Sequence, residues 1–314
     1  MEGIRVAATV IFTVLPIVLL LGYFYTRDVR REPRATLAAT FLLGVAIALP
    51  AVFLSLMLLV IPGRSLGLFD GALYDAFVVA AIPEELLKLA VIAWFCARRR
   101  TFDEAMDGIV YGATAALGFA AIENVLYVAQ GGWIVALMRS VTAVPMHAAM
   151  GAILGYYVAQ QRLLLRRGAM WSGLAIAVLV HGWYDFGPMV LVRLGADEES
   201  PAEMGFLSLG LVVLFLAVVV TTLLAVRRLV RRLRSEQLVP CASGPRDVSG
   251  SRLADSSDPL VAHLLERRAQ DAEASGATDG VCATGEADAG RAPRSEGLPS
   301  GDPLSPHDGD RLAA

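Results

Sequence analysis

Apolar residues run along this chain in blocks of about 6–25, 35–61, 73–97, 107–129, 133–160, 169–193 and 204–226. Each block reaches the roughly 20 residues that an α-helix needs to cross a bilayer. The pattern predicts an all-α fold: a polytopic membrane helix bundle of about seven transmembrane helices. Residues 235–314 are of another kind, with no Phe, Trp or Tyr and much Ala, Gly, Ser, Asp and Pro. Such a segment buries too little apolar area to offset its ordering entropy. The expected organisation is a transmembrane domain over 1–234, with its motif-bearing core at about 70–190, followed by a disordered cytoplasmic tail over 235–314.

Composition agrees, with 56% hydrophobic residues and a mean hydropathy of +0.58. The net charge of −3 conceals a sharp segregation. Fifteen arginines fall in the gaps after blocks one, three, five and seven (27–34, 98–100, 162–167 and 227–234), against Arg5, Arg64 and Arg193 in the others. The positive-inside rule then predicts a multi-pass protein of the cell (inner) membrane, N-terminus outside and C-terminus cytoplasmic. The first block has four arginines after it and no A-x-A-like site, so it reads as a retained helix, not a cleaved signal. Cys96, Cys241 and Cys282 show no CxxC spacing, and on this topology their thiols stay reduced. The bilayer is the expected surroundings, and no nucleic-acid partner is expected.

Ionisable groups inside the apolar blocks then change the picture. The chain's single lysine, Lys88, follows Pro83-Glu84-Glu85-Leu86-Leu87, and later blocks contain Glu123, Arg139 with His147, and His181 with Asp185. A charge at the centre of a bilayer helix costs roughly 2.5–3.5 kcal/mol on the insertion scale, so such groups face a bundle interior and mark function. At 1.5 Å per residue they lie about 9 to 22 Å below the outer edge of a core roughly 30 Å thick. Residues from four helices are thus expected to meet at mid-membrane, weighted to the outer half.

Spacing adds detail. Glu84 and Lys88 share a helix face at i,i+4, whereas Glu85 points about 100° away, as if to line another side of a cavity. Pro83 is expected to loosen the preceding turn. His181 and Asp185 are also i,i+4, so Asp185 can orient the imidazole. Asn124 reads as an interhelical hydrogen-bonding residue, and Arg139 as either a site cation or a snorkelling anchor. Asp107 reads as a helix N-cap. Gly108, Gly112 and Ala116 form one small-residue stripe, and His147, Gly151 and Gly155 another.

Fully ionised, Glu84, Glu85, Glu123 and Asp185 outnumber Lys88 and Arg139 by two charges. Either one divalent cation occupies the site or carboxyls and histidines share protons. Both solutions suit amide hydrolysis, by a metal-bound water or by a glutamate acting as general base. The nearby cations favour the metal-free route. A cation, zinc foremost, would take Glu85, His147 and His181 as ligands. Histidines here have no neighbouring nucleophile, and HExxH and GxSxG are absent from the sequence. A proton-coupled carrier would use similar groups, but the duplicated halves common in carriers are missing. A non-catalytic scaffold would not need the complete polar set.

Together, Pro-Glu-Glu-Leu-Leu-Lys (83–88), Asp-Gly-Ile-Val-Tyr-Gly (107–112), Gly-Phe-Ala-Ala-Ile-Glu-Asn (118–124), Arg139 with Pro145-Met-His147, and His-Gly-Trp-Tyr-Asp (181–185) resemble the PrsW family of intramembrane proteases. The order EExxK, FxxxE, arginine-then-histidine and HxxxD is the basis of that resemblance. The related CAAX- and bacteriocin-processing membrane proteases have EExxxR and FxxxH instead. The resemblance implies a catalytic centre of Glu84, Glu85, Glu123, His147 and His181, supported by Lys88, Arg139, Asp185 and Asn124. It further implies membrane-protein substrates, anti-sigma factors among them, and leaves metal-dependent and glutamic chemistry both open.

Overall fold

The computed structural model describes residues 2–60, 66–194 and 201–238, and every element within them is helical. Most of the expected tail therefore lies outside the described residues. The first two helices are α1 (Glu2–Arg27) and α2 (Arg34–Val60). A third run, here α3, is built end to end from Leu68–Leu73, Tyr74–Ala81, Ile82–Val91 and Ile92–Cys96, the second and fourth pieces wound as π-helix. Pro83 explains the first wide turn. It has no N–H and its ring would strike the carbonyl four residues back, so the backbone ahead of it relaxes and the Ile82 N–H bonds to Phe77 O. This is the loosened turn expected from the sequence.

The remaining helices are α4 (Ala105–Val141), α5 (Ala143–Leu163), α6 (Ala169–Leu194) and α7 (Pro201–Gln237). α4 reverses at Gly132, whose φ of 65° and ψ of −156° suit only glycine. Its return arm leads into α5 after a break at Thr142, three residues before Pro145. Among the described residues, five helices are long and apolar enough to cross a membrane, and one of them, Ala105–Leu163, is the 59-residue unit that doubles back.

The outgoing arm of α4 is the centre of the bundle, with every residue from Ala105 to Ala120 buried. A helix enclosed on all sides shows no amphipathic stripe, and here glycines and alanines alternate with larger side chains such as Ile109, Tyr111 and Leu117. A Cβ on Gly108 or Gly112 would overlap the carbonyl of Gly155 or Gly151 across the hairpin, and one on Gly118 would overlap Phe41 O of α2. The two small-residue stripes seen in the sequence therefore pack on each other.

Polar contacts join the four arginine-rich ends at one end of the bundle. Arg30 pairs with Glu104, Tyr111 donates to Glu32, and Gln237 Nε2 donates to Asp28 Oδ1 (2.9 Å) and Glu104 Oε2 (3.1 Å). Arg162 Nε donates to Ala97 O (3.1 Å). Asp107 is not the N-cap expected from sequence. Glu104 is, and Asp107 sits three residues in, where Oδ2 accepts the N–H groups of Asp103 (2.9 Å) and Glu104 (2.7 Å).

Candidate active site

Beyond the central glycines, toward its reversal at Gly132, the α4–α5 hairpin changes character and faces α3 and α6 with charge. Lys88 is fully buried. Its Nζ donates to Glu84 Oε2 (3.2 Å), Glu85 Oε1 (2.7 Å) and His147 Nδ1 (3.0 Å), and lies 4.3 Å from the centre of the Phe119 ring. An ammonium can only donate, so His147 Nδ1 accepts. The ring proton then sits on Nε2, which faces Glu123 Oε2 at 2.6 Å. Glu123 is held from its other side by Arg139 (3.0 Å).

His181 joins the cluster from α6. Its Nδ1 is 2.8 Å from Glu85 Oε1, and its Nε2 is 3.2 Å from Asp185 Oδ2 and 3.9 Å from Glu84 Oε2. Asp185 thus orients the imidazole, as the i,i+4 spacing suggested. The His147 and His181 rings meet edge to face, with centroids 5.6 Å apart. All nine singled-out residues stand in one connected network contributed by α3, both arms of α4, α5 and α6.

One detail differs from the sequence-based picture, and one of its open alternatives is narrowed. Glu84 and Glu85 do not line separate walls, because the flexible Lys88 stem lets one ammonium reach the carboxylates at both i−4 and i−3. Arg139 does not snorkel outward. Its Nε donates to Asn124 Oδ1 (3.0 Å), and its guanidinium stacks over Tyr127 at 4.2 Å. Asn124 in turn reaches the Thr13 carbonyl of α1 (3.5 Å). Tyr127 and Thr13 are contributions the sequence did not reveal. The i,i+4 spacing of Tyr127 from Glu123 was the available signal.

The network is open on one side. A cleft of about 250 Å³ lies among Ala48, Ala51 and Ser55 of α2, Ala80 of α3, Phe119 of α4 and Met189 of α6. Glu84 and Glu123 line it, and their side chains keep 12% and 18% of their surface exposed while Glu85 keeps none. Two carboxylates thus face an otherwise apolar, laterally placed cleft.

Glu84, Glu85 and His147 each offer a ligand atom, and these atoms lie within 4.8 Å of one another. Glu85 Oε2 is buried and receives no hydrogen bond, so one carboxylate oxygen remains free for a cation. Two carboxylates and an imidazole are a fitting donor set for zinc or a similar divalent ion. This trio shares Glu85 and His147 with the expected set and has Glu84 in place of His181, whose Nδ1 lies 2.8 Å from Glu85 Oε1. Lys88 bonds to the same three residues, so its ammonium stands where a cation bound by them would stand.

A helical membrane bundle that gathers four carboxylates and two imidazoles beside a lateral cleft has the makings of an intramembrane hydrolase. The family model described as PrsW family intramembrane metalloprotease matches residues 32–226, and the chain belongs to that family. It is therefore an integral membrane protein and a protease. Among similar proteins, Protease PrsW of Geobacillus kaustophilus is 35% identical over 201 residues, 63% of this chain and 84% of that protein. Protease PrsW of Bacillus subtilis is 34% identical over 177 residues, covering 55% and 79%. That of Clostridioides difficile is 30% identical over 197 residues, covering 58% and 81%. No solved structure matches the chain.

Proposed function

We propose that the chain hydrolyses peptide bonds of membrane-spanning protein substrates inside the bilayer, at the Glu84–Glu85–Glu123–His147–His181 centre. The observation that carries this reading is the meeting of those side chains in one network, of which Glu84 and Glu123 face an open cleft. In the proposed topology seven segments cross, the reversal at Gly132 faces outward, and the arginine-rich end is cytoplasmic. Cleavage then falls in the outer half of the membrane, which suits substrates such as anti-sigma factors.

The cleft admits a locally unwound substrate segment, because Ala48, Ala51 and Ser55 leave room beside the carboxylates. In the metal-free route Glu84, at the cleft surface, takes the proton from the attacking water, and His181 beside it stabilises the oxygen on which negative charge develops. Glu123 fixes the His147 tautomer, and Arg139 holds Glu123 in place. The family description supports the metal-dependent route over the metal-free one favoured by charge alone. Glu84, Glu85 and His147 would hold the ion, and when bound it supplies a Lewis acid and an acidified water.

Reconstituted protein tested on a library of single-span substrates checks this. Wild type is expected to cut at least one, and Glu84→Gln to cut it at least about 10²-fold more slowly. Equal cleavage by the variant overturns the assignment. Metal analysis with chelation separates the routes: activity lost on chelation and restored by zinc supports the ion, whereas unchanged activity in metal-free protein rejects it.

A further inference from the structure

A second cavity lies at the arginine-rich end of the bundle, and the proteolytic reading does not use it. It is a groove of about 490 Å³ between α1 and α2, floored by Val110 and Thr114 of α4. That volume is typical of a small-molecule site. Its walls are Leu21, Leu37, Phe41 and Leu42, and its floor is equally apolar because Thr114 Oγ1 donates to Val110 O (2.7 Å). From Arg34 to Leu42 it runs about 12 Å along α2, most of one leaflet's share of a hydrocarbon core roughly 30 Å thick. Thr114 is about 13 Å along α4 from Glu123, so the groove is separate from the cleft.

Polarity is confined to one end. Arg34 Nε donates to Tyr25 OH (3.4 Å), which holds the guanidinium at the mouth. Arg31 and Arg34 lie 5.3 and 5.9 Å from the Tyr25 ring centre, and both are exposed. Neither has a carboxylate within ion-pair distance among the described residues. The nearest acid in sequence, Glu32, is buried and occupied by Tyr111. The site is thus a long apolar trough ending in two uncompensated cations. A bound helix would gain nothing from that end, whereas an amphiphile with an anionic head complements both parts.

We propose that this groove is a specific site for an anionic phospholipid of the leaflet on the arginine-rich side. The acyl chain lies between α1 and α2, and the phosphate is held by Arg31 and Arg34. Bulk lipid would also wet the groove, so the proposal concerns selectivity. Each arginine near an anionic headgroup is worth about fivefold in affinity.

Native mass spectrometry of the full chain, purified with equimolar phosphatidylglycerol and phosphatidylcholine, tests the proposal. One retained phosphatidylglycerol is expected, preferred at least about tenfold. Arg31→Gln with Arg34→Gln should abolish the preference while melting in phosphatidylcholine stays unchanged. Gly22→Leu should displace the lipid without a clash, because a Cβ there meets nothing within 4 Å. Equal retention of the two lipids, or a preference that survives the double arginine variant, overturns the proposal.

Discussion

The two ends of the α4–α5 hairpin solve opposite problems with the same pair of helices. At one end Gly108 and Gly112 meet Gly155 and Gly151, and backbone touches backbone with no room for a methyl group. At the other, Glu123, Arg139 and His147 fill the same seam with charged and polar groups linked to Lys88. The close-packed end gains dispersion contacts and fixes the register. The charged end, given that register, holds its groups within hydrogen-bond distance in a medium that penalises any loose charge. Tight packing here is what makes the polar site affordable in lipid.

The comparison can be broken hardest at the glycine end. Gly155→Leu should abolish the folded state, since the new side chain would have to displace the Gly108 backbone and cannot rotate away. Loss of a monodisperse, helical species in detergent would register it. At the charged end, Glu123→Gln should leave folding intact yet slow cleavage at least about 10²-fold, with unchanged melting as the control. Should Gly155→Leu fold and Glu123→Gln unfold, the two ends have been assigned the wrong roles. Asp185→Asn should cost only about tenfold in rate, because Glu85 still holds the other nitrogen of His181.

The smallest effect is expected at the loop after α1. Burial raises the Asp28 carboxyl above its usual range, against hydrogen bonds from Gln237 and Arg30 that lower it. A raised folded-state value means that stability is greatest in acid and falls as pH rises through that value. Asp28→Asn should therefore melt within a few degrees of wild type at neutral pH, and the melting difference should disappear as pH falls toward 4. A variant markedly less stable at every pH would show that the carboxylate charge is needed.

The glycine end was the more legible of the two in the sequence. Small residues at i,i+4 on two apolar blocks signalled close backbone approach, and the structure adds that the two stripes meet each other. The polar residues of the charged end were also visible, because a lysine and three glutamates stand out in such apolar blocks, where each charge is costly. Their pairing was not. Helical angles placed Glu84 and Glu85 apart, but a lysine stem long enough to reach two carboxylates overrides a 100° separation. Two members of the candidate metal trio, Glu85 and His147, were legible, whereas the approach of Glu84 to them depends on side-chain conformations that helical spacing does not fix. The polar clasp of Glu32, Tyr111, Asp28 and Gln237 went unseen, because it joins segments more than seventy residues apart.

The central claim is that proteolysis occurs at the buried carboxylate–imidazole network. It is tested most directly by mass-mapping the fragments released from a single-span substrate in reconstituted membranes. The account predicts a scissile bond inside the membrane-spanning segment, in its outer half, with neither fragment produced by Glu84→Gln. A bond cut outside that segment, or the same fragments at the same rate from Glu84→Gln, would contradict it.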